Sequence, residues 1–229
     1  MRASHPPKQK SIPQIHREMV RDLLSDRKPI VPMRSAWSQW SLWLSLSILM
    51  LALAMTLMKM EPDMDSLAKQ MPSMTFIFLA FLGSALAAWE AIASSVPGRQ
   101  TSPAYRWLAS GVLAALFLFP ILFFAPSPQH LNALRLFEEG HACLTNVSLL
   151  GLPPWLLLVF LVSRNAAFHP AWTGAWTGAS AFLLGMMAVQ MHCPNNQWSH
   201  VLMMHLLPVA VAMVLASWAG LWLFSRWKK

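Results

Sequence analysis

Charged side chains occupy only 11% of this 229-residue chain, against about 25% in an average soluble domain. With 56% of positions hydrophobic, composition alone excludes a water-soluble globular fold. Cysteine is equally scarce: Cys143 and Cys193 are the only two, too few for a disulfide-stapled scaffold. No Cys-x-x-Cys pair, His-Glu-x-x-His helix, glycine-rich phosphate loop or nucleophile elbow occurs. The chain is therefore expected not to be an enzyme. Within the long hydrophobic runs the only titratable groups are Glu90 and His205, which gives no evident proton relay and weak support for a lined ion pathway. A small-ion or metal-handling membrane transporter is the alternative reading, and metal flux dependent on Glu90 or His205 would favour it.

The chain is rich in apolar runs. Five reach about the 20 residues that span a bilayer: Ala36 to Met58, Met74 to Ser95, Trp107 to Ala125, Ala171 to Met191 and Val201 to Phe224. A sixth, Val147 to Val162, is shorter and contains Pro153-Pro154, which neighbouring helices tolerate in a membrane. The expected fold is an all-α membrane protein, a bundle of six transmembrane helices over residues 35–229, preceded by a cytoplasmic segment of residues 1–34.

Net charge is +8, and its distribution explains it without nucleic acid as a partner. With the amino terminus in the cytoplasm, only Lys59, Lys69 and Arg135 of the 17 basic residues fall outside. The excess of Lys and Arg on the inner side then sets both termini in the cytoplasm. The first hydrophobic run follows more than 30 polar residues and lacks a small-x-small cleavage pattern, so it reads as a retained signal anchor.

Residues 11–25 show helical spacing, with Ile12, Ile15, Met19 and Leu23 on one face and Val20 and Leu24 widening it. A helix this short is marginal alone in water and needs a surface to bury against. Lipid headgroups and a protein groove would use the same pattern. Trp37, Trp40 and Trp43 follow near the cytoplasmic end of the first span, where aromatic rings favour the membrane interface. Glu90 is expected to pair with Arg99 or Arg106, or to be protonated. Gly174-x-x-x-Gly178, with Ala181 and Gly185, lets another helix approach closely. Internal packing is the first expectation for that face, and a homodimer contact the second.

The loop from Pro126 to Asn146, with a short helix from Leu131 to Glu139, is the longest outer segment and holds His130, His141 and Cys143. Six crossings place it on the same side as Met191-His192-Cys193-Pro194, so both cysteines share a compartment where disulfides persist. His141 and His192 flank them, with His200 and His205 one and about two turns further on. Thiolate and imidazole suit soft ions such as zinc, cadmium or copper(I). Three readings stay open: a structural disulfide, a thiol switch or metal site at Cys143, Cys193, His141 and His192, and two unrelated buried thiols. No cofactor is required by any of them except the ion in the second.

Several segments together resemble the NrsF family. They are Leu23-Leu24-Ser25-Asp26-Arg27-Lys28-Pro29-Ile30-Val31-Pro32, Ser95-Val96-Pro97-Gly98-Arg99, the stretch around Cys143, Gly174 to Gly178, and Met191-His192-Cys193-Pro194. The resemblance runs from about Val20 to Trp227. It implies a six-span bacterial inner-membrane anti-sigma factor whose amino-terminal segment holds an extracytoplasmic-function sigma factor. Under it, the face formed by Ile12, Ile15, Met19, Val20, Leu23 and Leu24 becomes a docking surface for that partner. Cys143 and Cys193 become the residues that answer metal or oxidative stress.

Overall fold

The computed structural model describes residues 20–21, 34–57, 71–124, 133–193 and 195–224. The chain divides into two units, Met1–Met33 and Arg34–Lys229. In the first, Val20 and Arg21 are helical and exposed; Ile12, Ile15, Met19, Leu23 and Leu24 lie outside the described residues, as does His130.

Among its described residues the second unit is made of helices and short connecting turns, with no strand. Within them six helices follow one another: α1 (Ala36–Leu57), α2 (Met71–Ser95), α3 (Pro103–Phe123), α4 (Ala133–Ser163), α5 (Pro170–Gln190) and α6 (Trp198–Leu223). All except α5 are long and apolar enough to cross a membrane. The exception is the centre of the bundle. Helix α5 packs against α6, α2 and α4, and 16 of its 21 residues are buried. Its Trp, Thr and Ser side chains and its glycine backbone meet other helices on nearly all sides, so it needs less apolar character than a helix facing lipid. The outer faces of α1, α3 and α6 carry exposed Leu53, Leu122, Trp218 and Trp222, an apolar surface unsuited to water.

Close approach at the centre is set by glycine. A Cβ on Gly174 would strike the Ala216 carbonyl and the Gly220 backbone, and one on Gly178 the Ala212 carbonyl. The small-residue face of α5 is thus covered from within the chain, by α6 at Gly174 and Gly178 and by α4 at Gly185, as expected of internal packing.

Three expectations need correction. The outer loop with a separate short helix over Leu131 to Glu139 is instead the start of α4, continuous from Ala133 to Ser163. Gly140, Val147 and Leu150 are buried and Cys143 half-buried on one stripe, so the inward face runs unbroken and no proline interrupts it before Pro153. Helix α3 begins at Pro103, four residues before Trp107, because Ser102 caps it by accepting the Tyr105 backbone N–H at 3.2 Å and Pro103 stands at its first position. The tryptophans of α1 are not all interfacial anchors. Trp43 is wholly buried with its indole N–H donating to the Pro154 carbonyl at 3.0 Å, and Trp40 donates to the Ala85 carbonyl at 2.9 Å. Their three-residue spacing aligns them on one face, and that face packs on α2 and α4.

Candidate functional site

Cys143 lies in α4, three residues after Gly140, and Cys193 in the turn that follows α5. The backbone N–H groups of His192 and Cys193 both donate to the Val189 carbonyl at 3.0 Å, which folds this turn back over the end of α5. Fifty positions apart in the chain, the two sulfurs stand 3.8 Å from each other, both as free thiols. A disulfide would need them about 1.8 Å closer. Its hydrogen bond with Cys143, and then burial, hold the Cys193 thiol above its ordinary range.

Helix α6 supplies two imidazoles to the same place. His200 brings Nε2 to 3.3 Å from the Cys193 sulfur, and His205 lies beside it with ring centroids 5.3 Å apart. Five positions along a regular α-helix would put these side chains about 140° apart. Val201–Leu206 is instead π-helical, with the Leu207 N–H bonded to the Leu202 carbonyl. The wider turn carries His205 round toward the face of His200, and such turns are common at functional sites. The ligand atoms of Cys143, Cys193, His200 and His205 all lie within 4.8 Å of one another.

The structure therefore joins the two cysteines as the sequence suggested but surrounds them with different histidines. His141 is exposed, with Nδ1 2.9 Å from the Glu138 carbonyl, and His192 Nδ1 lies 3.1 Å from the Ala188 carbonyl. Neither belongs to the four-residue group. Each is one or two residues from a cysteine, but chain neighbours on a helix or its terminal turn point different ways.

Two further residues shape the site. Gln190 accepts from His205 Nδ1 at 2.6 Å and donates to the Asn196 side chain at 2.8 Å. A Cβ on Gly140 would collide with Met204 and come 3.3 Å from the His200 ring, so glycine is what lets α6 bring its imidazole in. A glutamine closing an otherwise apolar run was the available signal for the first. The second had only its place one turn before a cysteine.

The opposite end of α5 carries a second polar cluster. Glu90 is wholly buried in α2 and pairs with Arg106 of α3 at 3.3 Å, as one of the sequence expectations had it. Trp172 of α5 donates to the same oxygen at 3.0 Å, and the Thr101 hydroxyl to the other. Nearby, Asn165 donates to Gln39 at 3.0 Å and to Ser95 at 2.9 Å, tying the start of α1 to the ends of α2 and α4. Trp172 and Gln190 are separated by about 27 Å of helix, so α5 links the two clusters directly.

The fold and site define a class: a helical membrane protein with a two-thiol, two-imidazole cluster at one end of its central helix and a buried carboxylate cluster at the other. The chain belongs to the NrsF family, whose model, described as negative regulator of sigma F, matches residues 23–227. It is thus one of a family of negative regulators of a sigma factor, with a sigma factor as the implied partner. No curated protein and no solved structure matches it.

Proposed function

We propose that the chain is a membrane-bound anti-sigma factor of the bacterial inner membrane, without enzymatic activity, that sequesters an extracytoplasmic-function sigma factor at the cytoplasmic face. The observation that carries this reading is the family match over residues 23–227. All six helices cross the membrane, with both termini in the cytoplasm. Support for that topology comes from the Gln39, Ser95 and Asn165 network: the entry of α1 and the exits of α2 and α4 meet at one end, as alternating spans require. Arg34 and Arg164 flank the same end, the side on which basic residues gather.

The docking surface is the apolar face of residues 11–25, formed by Ile12, Ile15, Met19, Val20, Leu23 and Leu24. The input is the thiol pair at the other end. Binding of a soft metal or oxidation at Cys143 and Cys193 favours one packing of α4, α5 and α6 over another, and sigma is released. A signal of this kind acts only through its different affinity for the two packings.

The full-length protein in membranes should retain the cognate sigma factor through purification, and Met19→Asp with Leu23→Asp should abolish retention without loss of the membrane protein. Undiminished retention by the double variant would place the docking surface elsewhere.

A further inference from the structure

We propose that Cys143, Cys193, His200 and His205 form a closed, four-coordinate site for one zinc-group divalent cation, zinc or cadmium, and that Gln190 is a positioning residue for it. Three independent features of the structure meet at this place.

The first is geometry. In a tetrahedral zinc site with metal–sulfur bonds near 2.3 Å, two sulfurs lie about 3.8 Å apart and a sulfur and an imidazole nitrogen about 3.5 Å apart. The thiols here are 3.8 Å apart, and His200 Nε2 is 3.3 Å from Cys193 Sγ. The widest separation in the set is no more than 4.8 Å, so it closes on an ion by side-chain shifts of about an ångström.

The second is an unsatisfied ligand atom. Among the described residues, four buried side-chain nitrogen or oxygen atoms have no hydrogen-bond partner; His192 Nε2 lies outside the four-residue group, and His205 Nε2 is the one within it that an ion would complete. A buried polar atom without a partner is costly unless something completes it. His205 is wholly buried, and its Nδ1 faces the Gln190 Oε1, which carries no proton. The ring must therefore donate from Nδ1 and hold its lone pair at Nε2. This is how metal-bound histidines are commonly oriented from behind.

The third is charge. Two thiolates and two neutral imidazoles around a divalent ion make a neutral complex, which a half-buried site accommodates at lower cost than a charged one. On binding, the ion displaces two thiol protons to solvent and nothing is oxidised or reduced. A tetrahedral S₂N₂ set points to zinc-group ions rather than to hard cations such as magnesium or calcium.

That the ion is the signal rests on the anti-sigma reading; the site itself is tested without sigma. The full-length protein, reduced and metal-free in detergent, is titrated with Co²⁺ as a spectroscopic probe. One equivalent should give thiolate-to-cobalt charge-transfer bands and the intense visible bands of a tetrahedral ion, and Zn²⁺ and Cd²⁺ should each displace it. Cys143→Ser and His205→Ala should lose these bands, while His141→Ala and His192→Ala keep them. Gln190→Leu should retain the stoichiometry and weaken Zn²⁺ binding by about 10- to 100-fold. In the unsubstituted protein, one equivalent of Zn²⁺ should protect both cysteines from alkylation. Weak octahedral spectra, no protection, or dependence on His141 or His192 instead would overturn the site. Stoichiometric binding with no release of sigma from membranes given Zn²⁺ or Cd²⁺ would overturn the signalling role alone.

Discussion

The Nδ1 of His205 lies 2.6 Å from the Oε1 of Gln190, joining the last residue of α5 to the π-helical turn of α6 inside a wholly buried pair. Gln190→Leu removes the acceptor and leaves the ring N–H without a partner. Hydrogen bonds between membrane helices average about 0.6 kcal/mol and reach about 1.7 kcal/mol. Thermal melting of the metal-free protein in detergent should therefore fall by a few degrees, about 2–4 °C per kcal/mol. An unchanged melting temperature would mean that the bond positions the ring without stabilising the bundle.

Gly140 and Met204 form a size-matched pair. Gly140→Ala should destabilise the protein by about 1–3 kcal/mol through overpacking, because the new methyl meets the Met204 side chain. Shortening the obstacle should relieve it. The double variant with Met204→Ala is expected to melt above Gly140→Ala alone, and a lower melting temperature would refute the steric account.

The glycines of α5 and α3 should differ sharply. Gly174→Ala places a methyl against the backbone of Ala216 and Gly220, which cannot move aside without separating α5 from α6. A methyl on Gly111 meets nothing within 4 Å. Gly111→Ala should leave stability within about 0.5 kcal/mol of the parent, whereas Gly174→Ala should lower it markedly. Equal behaviour of the two would contradict the close crossing.

The two members of the Glu90–Arg106 pair are not equivalent, since the carboxylate is wholly buried and the Arg106 side chain is 39% exposed. Arg106→Leu strands a charge away from water, while Glu90→Gln leaves a cation that water can reach. Removing the arginine should therefore cost more. Adding Glu90→Gln to Arg106→Leu should recover part of the loss, as a coupled pair requires. Denaturation of the four proteins in one detergent checks this, and additive losses would argue against coupling.

Mild two-electron oxidation with a diazene should convert the two thiols into one intramolecular disulfide, the diazene taking up both hydrogens. The product should migrate as a monomer of altered mobility without reductant and revert with it; Cys193→Ser should abolish the shift. In the chain-entropy account a loop of 50 positions gives about 4 kcal/mol, and the gain here should be smaller because membrane helices already restrict the unfolded chain. Disulfide-linked dimers as the main product would contradict the 3.8 Å approach of the thiols.

Much of this was legible in the residues. Long apolar runs announce helices, and the small-residue face of α5 announces a close helix contact. Gly174-x-x-x-Gly178 is legible because a glycine face has few other uses between helices. The course of α4 is not legible in this way, because polar residues from Glu138 to Asn146 have the composition of a loop. A stripe containing Gly140, Val147 and Leu150 shows its direction only when something packs on it.

The sequence by itself determined the helical membrane class, the family, and the two cysteines as the residues of interest. Hydrophobic length and short-range motifs are local properties, and local properties survive without a fold. Only the tertiary structure decided that Cys143 and Cys193 meet His200 and His205 rather than His141 and His192. That outcome depends on a π-helical turn in α6 and on the missing side chain at Gly140, and both act on neighbours far away in the chain.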